Sequence, residues 1–290
     1  MKRFDLHLLA PAKINLILRV ISRREDGYHE LETWMTKVDL YDSIFVRLED
    51  KHGIRLRCAG SAVPLDESNL LWRAAALFLE NSSRAAGKGM SLYLEKNIPV
   101  AAGLGGGSSD AGTLLRGLNV LWGNEFDDNT LIEFCQSLGA DVPFFTIEAK
   151  SVLATGIGER MIPVAAPANC LYLLVNPGIA VSTAEIFAKF ALTRKEKNST
   201  LTGSQKLDSD GLRLEDLEND LEDVTIKLFP IIADVKNHLQ RLDADFVLMS
   251  GSGPTVFGVY TNISENRKRM VTQAAIELRR RFGDKVYITE

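Results

Sequence analysis

The stretch that most limits how this chain can fold is Pro99–Gly112, P-V-A-A-G-L-G-G-G-S-S-D-A-G, near its centre. Glycines without a Cβ reach backbone conformations and close approaches barred to other residues. The sequel, A-G-T-L-L-R-G-L-N-V-L from Ala111 to Leu121, has helical character, and Ser109 or Asp110 can open that helix. A glycine run at a helix N-terminus presents unpaired amides and the positive end of the helix dipole to space that no side chain fills, which favours an anion. It is no Walker loop, because no lysine precedes the serines. It departs from a dinucleotide fingerprint too, with Ser108 where the third glycine belongs and Pro99 interrupting the entry. A plain turn or linker remains the competing reading of the glycines alone.

The rest of the chain narrows the setting. Its 290 residues are about twice the usual single-domain length, so two domains are expected, 1–163 and 164–290. With 46% hydrophobic and 25% charged residues the composition is that of a soluble globular protein, and no apolar run approaches a membrane span. A net charge of −4 supplies no basic field for a nucleic acid. The start, M-K-R-F-D, carries no apolar leader, which predicts a cytoplasmic protein. Cys58, Cys135 and Cys170 form no C-x-x-C and the four histidines no H-E-x-x-H, so neither a disulfide framework nor a metal site is expected.

Alternation from Leu8 to Ser22 predicts a strand with Lys13 and Asn15 on one face. Runs at 31–38, 43–48 and 54–58 predict further strands of an antiparallel N-terminal sheet. Ser68 can cap a helix from about Leu70 to Ser83 with Gly87 as its stop signal, a strand at 91–95 leads into the glycines, and another helix from Asp128 stops at Gly139. Beyond Val164 come a strand at 171–175 and a capping box, S-T-A-E at 182–185, opening a short helix that holds Phe187. Residues 194–213 read as a mobile polar loop. Helices at 214–228 and 230–242, strands at 246–249 and 255–260, a helix at 264–282 and a strand at 286–289 complete an α+β order without fixed repeats.

Three stretches carry chemistry: P-A-K-I-N-L at 11–16, the glycine run, and S-G-S-G-P-T-V-F-G at 250–258. Singly, Lys13 could be a solvated lysine on an edge strand and Gly251–Gly253 a tight hairpin. In this order they resemble the signature of the GHMP kinase superfamily (galactose, homoserine, mevalonate and phosphomevalonate kinases). R-E-D-G-Y-H-E-L at 24–31, E-K-N-I-P at 95–99, L-G-A-D-V-P-F-F at 138–145 and S-T-A-E-I-F at 182–187 are most similar to the branch acting on a cytidine-diphosphate methylerythritol.

The resemblance implies a two-domain GHMP kinase fold, α+β, with an N-terminal ribosomal protein S5 domain 2-like half and a C-terminal ferredoxin-like α/β sandwich. It implies transfer of the γ-phosphoryl of ATP, carried with Mg²⁺, to the 2-hydroxyl of the substrate, with no tightly bound cofactor, no nucleic acid or membrane partner, and a monomer or weak homodimer. Asp141 is then the general base, and Lys13 holds it and faces the moving charge. Pro99, Val100, Ala101, Ala102, Gly103, Leu104, Gly105, Gly106, Gly107, Ser108 and Ser109 embrace the phosphates, with Asn69 and Lys96 near the nucleotide. Tyr28 and Phe187 sandwich the cytosine, His29 reads its edge, and Asn15 and Thr183 lie nearer the erythritol.

Each residue has a plainer alternative. Asp141 could cap a helix before Pro143, Asn69 could serve a helix start and Lys96 could be solvated. Tyr28 and His29 could be turn residues, and Phe187 core. Asp110 stands where many relatives have Asn, so its carboxylate either points away from the phosphates or meets Mg²⁺. Two other classes stay open: a GHMP kinase for homoserine, mevalonate or a sugar, and a catalytically silent ATP-binding sensor. The presence of both Lys13 and Asp141 counts against the sensor.

Overall fold

The computed structural model describes residues 4–196 and 213–290. Its contacts form two compact units, one of Met1–Ala12, Leu40–Val100 and Gly105–Glu148, the other of Lys13–Asp39, Ala101–Leu104 and Ala149–Glu290. Two long strands contribute to both: β1 (Leu6–Arg23) and β2 (His29–Glu49).

The first unit adds β3 (Gly53–Gly60), α1 (Leu70–Asn81), β4 (Gly89–Lys96), α2 (Gly106–Leu121), α3 (Asp128–Leu138) and α4 (Val142–Thr146). The end of β2 pairs antiparallel with β4, Phe45 facing Tyr93, and β3 pairs parallel with β4, Leu56 facing Leu92. The parallel pairing corrects the all-antiparallel expectation: α1 returns the chain from β3 to β4 in a crossover. The two expected strands at 31–38 and 43–48 are one, because Asp39 to Asp42 continue the ladder without a turn. Ile44, Val46, Leu56, Leu92 and Leu94 form one side of the core, closed by Leu71, Phe78, Leu114 and Leu118.

Helix ends also differ from expectation. Asn69, not Ser68, caps α1: its Oδ1 accepts from the Leu71 amide at 2.9 Å, whereas Ser68 bonds Asp66. The helix ends at Asn81 with Ser82 as C-cap, within two residues of the expected Ser83, and it is Ser82 rather than Gly87 that caps it. Helix α2 opens at Gly106 rather than at Ser109 or Asp110, after Gly105 turns the chain with φ 70°.

The second unit adds β5 (Ser151–Gly156), β6 (Arg160–Val164), β7 (Leu171–Val175), α5 (Thr183–Glu196), β8 (Glu218–Asn219), α6 (Glu222–Leu228), α7 (Ile231–Arg241), β9 (Phe246–Met249), β10 (Val256–Tyr260), α8 (Glu265–Phe282) and β11 (Val286–Thr289). Strands β11, β7, β10 and β9 make an antiparallel sheet. Its buried Leu173, Val175, Val256 and Tyr260 pack with Val235, Leu239, Val271 and Leu278. Strands β5 and β6, unforeseen in the sequence, form a hairpin that pairs with the start of β2.

The helix expected over 214–228 is broken into a 3-10 turn (Leu214–Asp216), β8 and α6. Asn219 explains the break: its side chain donates to the carbonyls of Met249 and Gly251 at 2.8 and 2.7 Å. Of the loop expected over 194–213, residues 194–196 end α5, Arg213 lies just before the 3-10 turn, and 197–212 lie outside the described residues. No described helix is long and apolar enough to cross a membrane.

Candidate active site

On β1, Lys13 is 4% exposed and Asn15 3%, flanked by Leu104 and Ser250, whose carbonyl and hydroxyl accept from their amides. The solvated edge-strand alternative for Lys13 is thereby overturned. Its ammonium donates to Asn15 Oδ1 at 2.5 Å. Asn15 Nδ2 donates in turn to Thr33 Oγ1 at 2.8 Å, and that hydroxyl donates to the Ile17 carbonyl at 2.7 Å. A buried amine is tolerated only with such partners. Thr33 was not anticipated, since a threonine in a strand carries no local signal of that duty.

The segment Ala101–Leu104 runs beside this strand. The Lys13 amide donates to the Leu104 carbonyl at 3.0 Å, and the Thr255 amide to the Ala102 carbonyl at 3.3 Å. Ser250 ties the two together, donating to the Gly103 carbonyl at 2.9 Å and accepting from the Asn15 amide at 3.3 Å. Gly103 has φ 75°, and a Cβ there would lie 2.2 Å from the Ser250 carbonyl oxygen. The glycine therefore answers two demands at once, a left-handed backbone and a close approach. The third motif, read from sequence as a turn or more, is here the strut of the glycine segment.

The same unit holds a cavity of about 700 Å³ lined by Tyr28, His29, Thr183, Phe187, Arg23 and Ile157, among others. The His29 and Phe187 rings pack at 5.1 Å, and Tyr28 is 61% exposed. His29 Nε2 is buried without a hydrogen-bond partner among the described residues. Burial first, and the Arg23 charge second, lower the pKa of this imidazole, which keeps the ring neutral. Phe187 also packs against the core, so its two readings hold together. Thr183 Oγ1 lies 2.8 Å from Ser252 Oγ, which anchors the start of α5 to the second glycine turn. Ser182 caps α5 as expected, its Oγ accepting from the Glu185 amide at 3.4 Å, which is the serine half of the capping box.

In the other unit Gly105, Gly106, Gly107, Ser108 and Ser109 make the head of α2, which has no side-chain cap, so its first amides stay available. Pro99 is buried and Val100 is 48% exposed just before it. Ser109 turns inward and donates to the Pro11 carbonyl at 2.6 Å. Asn69 uses both ends of its amide on the α1 start, the Nδ2 donating to the Pro64 carbonyl at 2.7 Å. Asp141 occupies the N-cap position of α4, yet its side chain makes no capping bond and its backbone is helical, which removes the plain-cap alternative. Gly112 lets α4 close on α2: a Cβ there would meet the Val142 carbonyl at 2.7 Å.

Lys96 is not solvated. Its ammonium bonds the carboxylates of Asp42 and Asp110, the latter at 2.8 Å, and its side chain is 3% exposed. Burial works against the charged lysine, but the two carboxylates more than offset it and its pKa rises. Asp110 therefore points into the protein, toward a lysine, and Asp42 is the partner that sequence reading missed.

The segment 69–148 matches the GHMP kinases N terminal domain and 206–276 the GHMP kinases C terminal domain. A protein of Desulfotalea psychrophila named 4-diphosphocytidyl-2-C-methyl-D-erythritol kinase is 46% identical over 285 residues, 98% of this chain and 95% of that one. The chain belongs to the GHMP kinases. Another relative of this GHMP kinase, with the same name in Geobacter metallireducens, is 44% identical over 91% of the chain and 92% of its own length. A crystal structure of 4-(cytidine 5'-diphospho)-2C-methyl-D-erythritol kinase superposes with a TM-score of 0.79 at 35% identity, covering 98% of both chains. Homoserine kinase from Cytophaga hutchinsonii, at 20% identity and TM-score 0.71 over 100% of this chain and 96% of its own, shares the fold of the GHMP kinase.

Proposed function

We propose that this chain transfers the γ-phosphoryl of MgATP to the 2-hydroxyl of 4-diphosphocytidyl-2-C-methyl-D-erythritol, giving the 2-phosphate and ADP. The observation that carries the choice of substrate is the cavity in which Tyr28 and Phe187 offer aromatic faces and His29 an unpartnered, neutral ring nitrogen. A cytosine needs those groups: stacking for its faces, and a hydrogen-bonding ring for its polar edge. Relatives of that name at 44–46% identity support the reading.

In this account Asp141 accepts the proton of the attacking hydroxyl, and Lys13 holds Asp141 and faces the charge that moves onto the transferred group. Asn15 and Thr183 orient the methylerythritol end. The backbone of Pro99 to Ser109 wraps the ATP phosphates, a task for amides rather than side chains. Asn69 and Lys96 act beside the nucleotide through the positions of α1 and α2. Residues 1–163 supply the nucleotide loop and 164–290 complete the protein, which works in the cytoplasm as a monomer or weak homodimer.

The test is ADP release from purified protein and MgATP, with the cytidine substrate beside mevalonate, homoserine and galactose. Release with the cytidine substrate alone supports the proposal; release only with another alcohol replaces the substrate, and release with none leaves an ATP-binding sensor.

A further inference from the structure

Asp42 on β2, Lys96 on β4 and Asp110 on α2 form a buried cluster with two carboxyl groups and one ammonium. The two acids are not equivalent. Asp42 accepts from the amides of Asn97 and Ile98 at 2.6 and 2.9 Å as well as from Lys96. Asp110 accepts from Lys96 through Oδ2 and meets the Asp42 carboxyl, and among the described residues its Oδ1 is buried with no hydrogen-bond partner. A lone buried carboxylate oxygen is costly as an anion and far less so as an acid. The cluster also touches the nucleotide loop, since a Cβ on Gly106, the first residue of α2, would lie 2.9 Å from Lys96 Nζ. Cys58 on β3 is the further titratable group that faces the cluster, and burial raises its thiol.

We propose that Asp110 is a positioning residue for phosphate binding: as a neutral acid it leaves the Asp42–Lys96–Asp110 cluster uncharged under the head of α2, and as a carboxylate it opposes the bound anion. This rests on the reading of Gly105–Ser109 as a phosphate cradle. Two negative charges against one positive leave a net −1 beneath a site that must accept a polyphosphate, and in a buried setting such a charge is poorly screened. The proton on Asp110 removes it. Burial first, with Asp42 adding to it against the pull of Lys96, pushes the Asp110 carboxyl up to about 8, so the switch falls close to neutral pH. By linkage, anion binding draws a proton onto Asp110 near that pH.

Calorimetric titration with MgADP in buffers of different ionisation enthalpy tests this on the parent chain and on Asp110→Asn. Expected are net proton uptake at pH 8 by the parent relative to the variant, and at pH 9 an affinity about fivefold or more higher in the variant. At pH 6.5 the two should bind alike. The same affinity profile and the same proton count in both overturns the proposal alone. Failure of either protein to bind MgADP at any pH removes the phosphate-cradle reading, and the proposal with it. Should Asp110→Asn not fold, the ¹³C carboxyl resonance of Asp110 in the parent decides: a midpoint near pH 8 supports the proposal and one near pH 4 overturns it.

Discussion

Ser250 and Gly103 lock together from both sides: the serine hydroxyl donates to the glycine carbonyl at 2.9 Å, and the serine carbonyl fills the space where a Cβ on Gly103 would stand. Gly103→Ala has to break that contact and hold alanine at φ 75°. The left-handed backbone alone costs about 1–2 kcal/mol. The variant is expected to melt lower and to bind MgADP more than tenfold more weakly, read by thermal denaturation and calorimetry. Unchanged affinity would separate this segment from nucleotide binding.

Ser250→Ala keeps the backbone and removes only the hydroxyl. It leaves the Gly103 carbonyl and the Asn15 amide without this buried partner, a loss of about 1–3 kcal/mol. Denaturant unfolding is expected to show that loss, with a higher KM for ATP. A stability equal to the parent chain would mean that water or another group replaces the hydroxyl.

Asp141 occupies the N-cap position of α4 without a side-chain capping bond, so its removal costs that helix no cap. Asp141→Ala is expected to lower kcat by about 10²-fold or more while MgATP still binds. A variant with full kcat would sink the assignment of the base.

Tyr28 is mostly exposed at the rim of the cavity, so Tyr28→Ala should leave folding alone. Its KM for the cytidine substrate is expected to rise by roughly tenfold, the scale of a lost aromatic contact, with KM for ATP unmoved. An equal loss for both ligands would place Tyr28 in the fold instead.

Stability should also report the Asp110 proton. Its folded pKa of about 8 lies above the ordinary 3.8, so between those values the native chain holds a proton that the unfolded chain has released. Stability of the parent therefore falls as pH rises through that window. Relative to Asp110→Asn, the parent is expected to lose melting temperature from pH 4 to pH 8 and to level off above. A difference independent of pH would contradict a raised pKa.

The elements legible in the sequence were those whose signal is local. Alternation marked β1, apolar spacing marked α1 and α8, and the capping box marked α5. What escaped depends on distant partners. The parallel pairing of β3 with β4 is fixed by a crossover, and the break before α6 by Asn219 reaching to Met249 and Gly251. Glycines open α2 against their helix propensity because Lys96 and Ile98 crowd Gly106. At the site, motif order singled out Lys13, Tyr28, His29 and Phe187, but Thr33 and Asp42 matter only through contacts that no local pattern encodes. Lys96, expected near the nucleotide with a solvated lysine as the plainer alternative, is held by two carboxylates from distant parts of the chain that no local pattern marks.

The central claim is the reaction itself, and the most direct measurement is ADP release by purified protein given MgATP and 4-diphosphocytidyl-2-C-methyl-D-erythritol, with the product checked by ³¹P NMR. The account predicts stoichiometric ADP and one new phosphomonoester on the 2-hydroxyl, with mevalonate, homoserine and galactose inert. ADP release with one of those alcohols and none with the cytidine substrate would contradict it.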